Sequence, residues 1–242
     1  MFGPMAEISA VVFDMYGTLT PSWPKSVWDE QKRPCAAPLA IPEAAWTAAL
    51  DASWHERVTG SLGDLTETFR AVAIQAGCAQ PTAEQLAEAV ELRYASYRGA
   101  HELRPDAIDT LRALRADGFK IGLVSDCTHE LADLWDELAL AEFFDAAVFS
   151  CREGTRKPDR RLFLAAAERL AVPPEVCLYV GDGGGDELAG SGAVGMHPVL
   201  LAGEDWAANH APGRPENEWT GRRAETLSQI PAIIAELTAP AA

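Results

Sequence analysis

The stretch Ala10-Val11-Val12-Phe13-Asp14-Met15-Tyr16-Gly17-Thr18-Leu19-Thr20 is an apolar run of strand character that stops abruptly at an acid and a glycine turn. A chain that starts this way is constrained toward an α/β sheet, with one carboxylate delivered to a strand's C-terminal edge. Open α/β sheets bind their ligands at that edge, so Asp14 is a candidate nucleophile. Aspartates also occur there as plain turn punctuation, and this motif alone does not separate the two readings.

Three more segments do. Phe119-Lys120-Ile121-Gly122-Leu123-Val124-Ser125-Asp126 is a second apolar strand, ending in a small hydroxyl residue that would sit beside Asp14. In Thr155-Arg156-Lys157-Pro158-Asp159 the proline suits the first turn of a helix running through Leu162, Leu164 and Leu170, which holds Lys157 just before the helix start. A third strand, from Val176 to Gly181, delivers Asp182 and Asp186 on a glycine-rich turn. Two carboxylates four residues apart, beside a third, make a site for a hard cation.

Aspartate, serine, lysine and paired aspartates in this order resemble the haloacid dehalogenase superfamily over residues 7–201. A lone glycine-rich loop is a weak sign, whereas four motifs in order are a strong one. The resemblance implies an α/β fold: a Rossmann-like parallel sheet flanked by helices (residues 1–21 and 103–242), with a helical cap (22–102) inserted after the first strand. It also implies roles. Asp14 would attack the substrate and Thr18 would fix it by hydrogen bonding. Ser125, with Asp126 and nearby amides, would cradle the transferring oxygens, while Lys157 would offset the shared charge. Mg2+ would be held by Asp14, the backbone carbonyl of Tyr16 and Asp182, with Asp186 orienting its waters.

The stretch from residue 41 to 101 has the texture of such a cap: it lacks a strand pattern and reads as helices, with breaks near Gly60, Gly63 and Gly77. Pro42 starts one helix, and Thr82 with Gln85 forms a capping box for another. Trp46, Trp54, His55 and Arg57 read as a cluster on one helix. Either Arg57, supported by Trp54, points into the cleft as an anion clamp, or the tryptophans are core and Arg57 snorkels to solvent. Residues 22–38 read as a loop with a short helix. After Asp186 come a short helix, a last apolar strand near His197 and Leu201, a polar loop over residues 203–217 and a helix near residues 227–237.

Composition narrows the partners. A formal charge of −16 argues against nucleic acid, which needs a basic surface. A small anionic substrate instead requires a locally positive site, supplied by Lys157, the metal and a cap arginine. Most acids are solubilising, as on the helical face of Glu84, Glu88 and Glu91. No apolar stretch spans a bilayer and no signal-like start is present, so the expectation is a cytoplasmic protein without a membrane partner. Five cysteines without CxxC spacing read as free, mostly buried thiols, and the histidines lack zinc spacing. The oligomeric state is left open.

Tyr16 is the departure. Most phosphatases of the superfamily have a second aspartate two residues beyond the nucleophile, which protonates the leaving oxygen and then activates water. A phenol is a poor base near neutrality. The Asp-x-Tyr-Gly-Thr form is similar to L-2-haloacid dehalogenases, where halide leaves unprotonated. Those enzymes lack a metal, however, and carry a Ser-x-Asn-x-x-Asp fourth motif, Ser-Asn in the second, and a tyrosine where this chain has Phe163. The Gly-Asp-Gly-x-x-Asp motif is like that of the magnesium-dependent phosphohydrolases, so the expected activity is hydrolysis of a small phosphorylated metabolite. A 2-haloacid dehalogenase is the rival, and a non-catalytic binder of a phosphorylated ligand is a third reading.

Overall fold

The computed structural model describes residues 7–99, 102–208 and 218–238. The chain enters at β1 (Ala10–Phe13) and leaves the sheet for a helical layer: α1 (Lys25–Lys32), α2 (Glu43–Ala52), α3 (Trp54–Val58), α4 (Leu65–Gln75) and α5 (Ala83–Arg98). It returns through α6 (Ala107–Ala116) to β2 (Lys120–Ser125), α7 (His129–Leu134), β3 (Ala146–Phe149), α8 (Ser150–Glu153) and α9 (Arg160–Arg169). The rest comprises β4 (Cys177–Gly181), α10 (Glu187–Ala193), β5 (His197–Leu201), β6 (Arg222–Ala224) and α11 (Ile230–Thr238).

All strands are parallel, in the order β3-β2-β1-β4-β5-β6. Parallel strands must be covered on both faces, and β1 accordingly buries every residue. Val11 and Phe13 enter one core with Leu123, Val180, Leu111 of α6 and Ile234 of α11. Ala10 and Val12 enter the other, with Tyr179, Leu162 and Phe163 of α9 and Leu188 of α10. The strand order reverses at β1, whose neighbours β2 and β4 lie on opposite sides, which opens a crevice beyond its C-terminal end. No helix among the described residues is long and apolar enough to cross a membrane.

Three local expectations are corrected. Trp46 and Trp54 lie on separate helices, because the backbone leaves the helical conformation at Ser53 (φ −93°, ψ 16°), whose amide and hydroxyl both donate to the Ala49 carbonyl. The helix after Lys157 starts at Arg160, capped by the Asp159 carboxylate on the Arg161 amide, and so begins beyond Pro158. The sheet continues past β5 into β6, a short edge strand in which only Ala224 is buried. The capping box forms as read: Thr82 accepts from the Gln85 amide and Gln85 from the Thr82 amide. Of the expected polar loop, residues 209–217 lie outside the described residues.

The helical layer has its own core of Leu39, Leu50, Trp46, Phe69 and Leu86, with Trp46 packed edge-to-face on Phe69 at 5.1 Å. Its α5 docks on the sheet domain through three polar pairs. Arg93 meets Glu130 at 2.6 Å, Tyr94 donates to Asp133 at 2.8 Å, and Arg98 meets Glu137 at 2.6 Å. The outer pair is exposed and contributes little. The Arg93–Glu130 pair is buried. Burial works against the Glu130 charge, but Arg93 and then Arg57 outweigh it and hold the carboxyl at about 2. A carboxyl depressed on folding stabilises the protein above its ordinary value near 4.5, and that contribution is lost as pH falls toward about 2. The expected size is about 3 kcal/mol. Denaturant unfolding of Glu130→Gln against the parent should therefore show a stability gap that shrinks as pH drops through this window; a gap independent of pH would remove the charge from the account.

Candidate active site

Asp14 follows β1 at the crevice and Lys157 precedes α9, and the two meet in the interior: Nζ lies 2.6 Å from Asp14 Oδ1. The same ammonium lies 2.5 Å from Glu187 Oε2. Glu187, at the start of α10, is fully buried and accepts three hydrogen bonds in all, since its Oε2 also accepts from the Tyr179 hydroxyl at 2.7 Å and its Oε1 from the Gly183 amide at 2.9 Å. Burial penalises the Lys157 charge, yet Asp14 and Glu187 prevail and hold its pKa well above the lysine value. Asp14 fares differently. Burial pushes its carboxyl up, Lys157 pulls it down, and Glu187 and Asp182 push it up again, leaving it well above the ordinary value. One lysine shared among three acids leaves the cluster over-negative.

Two glycines make this crowding possible. Gly17 has φ +79°, and a Cβ there would lie 2.2 Å from Asp182 Oδ2. At Gly181 a Cβ would lie 2.1 Å from Glu187 Oε1. The carboxylates of Asp14, Asp182 and Glu187 each offer an oxygen within 4.8 Å of the others. Buried or half-buried hard oxygens with an uncompensated charge fit a divalent cation such as Mg2+.

Asp186 is not in that group. Gly183, Gly185 and Asp186 all have left-handed backbone (φ +96°, +64° and +53°), and the irregular turn leaves Asp186 exposed while Glu187 points inward. Counting four residues on from Asp182 therefore reaches a side chain outside the Asp14, Asp182 and Glu187 group. A legible signal did exist. Glu187, Gly190 and Ser191 share one helix face, and a Cβ on Gly190 would lie 2.9 Å from Pro158 Cβ, so that face packs directly on the lysine segment.

A cavity of about 500 Å³ opens over the cluster, lined by Asp14, Tyr16, Arg57, Asp126, Lys157 and Asp182 among others. Asp126 accepts the Lys157 amide at 2.9 Å, fixing the lysine segment, and burial raises its carboxyl with Lys157 opposing. Thr18 and Ser125 are buried outside the cavity wall, and neither hydroxyl has a hydrogen-bond partner among the described residues. No bond from the Thr18 hydroxyl to Asp14 forms, in contrast to the expectation.

Tyr16 is committed to Tyr97 of α5, hydroxyl to hydroxyl, and its ring packs edge-to-face on Trp28 of α1 at 5.0 Å. Burial, and then neighbouring Cys127, lift its pKa well above the ordinary phenol value although the bond to Tyr97 pulls it down. It is no base at neutral pH. Arg57 matches neither sequence alternative fully: Trp46 is core and Trp54 is 45% exposed, but Arg57 is buried. Its Nε and Nη2 donate to the Leu50 carbonyl at 3.2 and 2.9 Å, and the guanidinium sits 5.5 Å from the Trp54 ring. Among the described residues it has no carboxylate within salt-bridge distance; Glu130 and Asp51 act on its charge from farther away, and it lines the cavity.

A doubly wound sheet here brings a strand-end carboxylate onto a buried lysine beneath a layer of helices. The chain belongs to the haloacid dehalogenase-like hydrolases, whose family model matches residues 8–193. It is 40% identical over 101 residues to a glyceraldehyde 3-phosphate phosphatase from Methanopyrus kandleri, a match covering 40% of this chain and 42% of that protein. Over 243 aligned residues it is 28% identical to (S)-2-haloacid dehalogenase 1 of a Pseudomonas species, covering 97% of this chain and 100% of that one. A crystal structure of 2-haloacid dehalogenase from Pseudomonas syringae pv. Tomato superposes with a TM-score of 0.68 at 24% identity, over 95% of this chain and 99% of that one. The chain spans only 38% to 42% of the length of the curated relatives that it matches locally.

Proposed function

We propose that this hydrolase is a magnesium-dependent phosphohydrolase of a small phosphorylated metabolite, working in the cytoplasm, with the helices of residues 22–102 as its cap. The carrying observation is the acid group of Asp14, Asp182 and Glu187, which has one lysine among three carboxylates and brings three oxygens within 4.8 Å of one another. In this reading Asp14, Asp182, Glu187 and the carbonyl of Tyr16 hold Mg2+, which supplies charge neutralisation between an anionic nucleophile and an anionic substrate. An Asp14 oxygen attacks phosphorus in line, the bond to the leaving oxygen breaks, and water then cleaves the aspartyl-phosphate to restore Asp14. Lys157 stays protonated and balances the charge developing on the phosphoryl oxygens. Arg57 takes a second acidic group of the substrate from the cap side. Five unpaired thiols agree with a reducing compartment.

The full-length likeness to a dehalogenase and the commitment of Tyr16 favour a second reading, displacement of halide from a 2-haloacid by the same Asp14. A panel of phosphate esters, acyl phosphates and L-2-haloacids, assayed with magnesium and with chelator, separates the two. Phosphate release abolished by chelator supports the proposal; halide release indifferent to chelator replaces it.

Tyr16 sharpens the test. With its hydroxyl bound to Tyr97 and no carboxyl in its place, leaving groups must depart largely unassisted, so acyl and aryl phosphates should far outrun alkyl phosphates. Tyr16→Asp should flatten that dependence, with a gain for alkyl esters of about a hundred-fold. A leaving-group slope that Tyr16→Asp does not change would assign Tyr16 to packing.

A further inference from the structure

Both crossings between the sheet and the helical layer are gripped by one side chain that is not part of the cavity lining. Arg104 stands just after the return crossing, its side chain 12% exposed. Its Nε donates to the Thr18 carbonyl at 3.0 Å and its Nη2 to the Gly17 carbonyl at 2.9 Å, both in the loop that follows Asp14. Nη1 and Nη2 also hold Asp205, at 2.9 and 3.1 Å. The same Asp205 accepts the amide of Ser22, on the outgoing crossing, at 2.5 Å. Next to it, the Trp206 indole donates to the Asp182 carbonyl at 2.7 Å.

The acceptors are not arbitrary. Gly17 is the residue against which the Asp182 carboxylate packs, so this bracket holds from behind the two loops whose side chains meet in front. A guanidinium offers donors in a rigid fork and fixes two carbonyls and a carboxylate at once; an ammonium is a point charge on a flexible stem and cannot reproduce that geometry. Space is tight as well, since a Cβ on Gly203 would lie 3.1 Å from Arg104 Nη1 and from Asp205 Oδ1.

We infer that Arg104 is a positioning residue which, with Asp205 and Trp206, sets the Asp14 loop against the Asp182 loop and ties both to the crossings into the cap. Its effect on turnover rests on the reading of Asp14 as nucleophile; its hold on the loop does not. Three variants test it in the full-length protein. Arg104→Met should lower kcat about a hundred-fold, the scale of a 1 Å misplacement, while KM moves within about threefold. Arg104→Lys should recover most of the lost Tm through the ion pair to Asp205 but not kcat. Trp206→Phe, which keeps the ring and removes one hydrogen bond, should cost about tenfold in kcat.

Amide hydrogen exchange gives a reading independent of any substrate. Residues 15–22 should exchange about tenfold faster in Arg104→Met, with β4 and α9 unchanged. An Arg104→Lys protein that regains both Tm and kcat would reduce the bracket to a stabilising ion pair. Unchanged exchange over residues 15–22 would overturn the inference outright. Should the parent turn over none of the panel substrates, the functional reading falls and the exchange result still decides this one; if Arg104→Met does not fold, Arg104→Lys and Trp206→Phe decide it.

Discussion

Asp14→Asn is expected to give a folded protein with less than about a thousandth of the parental kcat, a barrier increase of roughly 4 kcal/mol. Asparagine keeps the shape and one acceptor for Lys157, which retains Glu187 as its second partner. What it removes is the nucleophile. Stability should not suffer as it usually does when a buried pair is broken, because Asp14 is the under-compensated member of an over-negative cluster, pushed upward by burial and then by Glu187 and Asp182 against the pull of Lys157. Tm should therefore be unchanged or higher. Rapid quench with substrate, or trapping with beryllium fluoride and magnesium, should label Asp14 in the parent and nothing in the variant. A variant that keeps more than a thousandth of the rate would make direct attack by water the better model.

The parts of this site that the sequence announced are those whose signal is local. β1, β2 and β4 are read from short apolar runs because both of their faces are buried, and the polar residues ending each run are brought to one edge by parallel pairing. Thr82 and Gln85 declare a helix start within one turn. What stayed hidden depends on partners far along the chain. The Tyr16–Tyr97 contact joins residues 81 apart and the Arg104–Asp205 pair residues 101 apart, and no periodicity encodes either. β6 has an edge strand's weak signature, two arginines before one buried alanine. The single break at Ser53 separated Trp46 from Arg57, where residue spacing suggested one continuous helix. Asp186 lies outside the acid group for another reason: spacing rules presume regular backbone, and a turn with three left-handed residues is not regular.

That last difference yields a decisive contrast. Glu187→Gln should lower kcat by at least about a hundred-fold and Tm substantially, whereas Asp186→Asn should leave both near the parental values. Glu187 receives hydrogen bonds from Lys157, Tyr179 and the Gly183 amide. A glutamine can keep the Gly183 bond through its carbonyl, but its amide nitrogen donates and cannot accept from an ammonium or a phenol. Lys157 and the buried Tyr179 hydroxyl would each lose an acceptor, at about 1–3 kcal/mol for each donor left unsatisfied. Asp186 is exposed, and replacing its charge should cost within about 0.5 kcal/mol. Calorimetric titration with magnesium separates the ligand role from the lysine-holding role: Glu187→Gln should weaken binding, and Asp186→Asn should not. If instead Asp186→Asn abolishes magnesium binding while Glu187→Gln retains it, the turn rearranges around the cation and the four-residue spacing names the ligand after all.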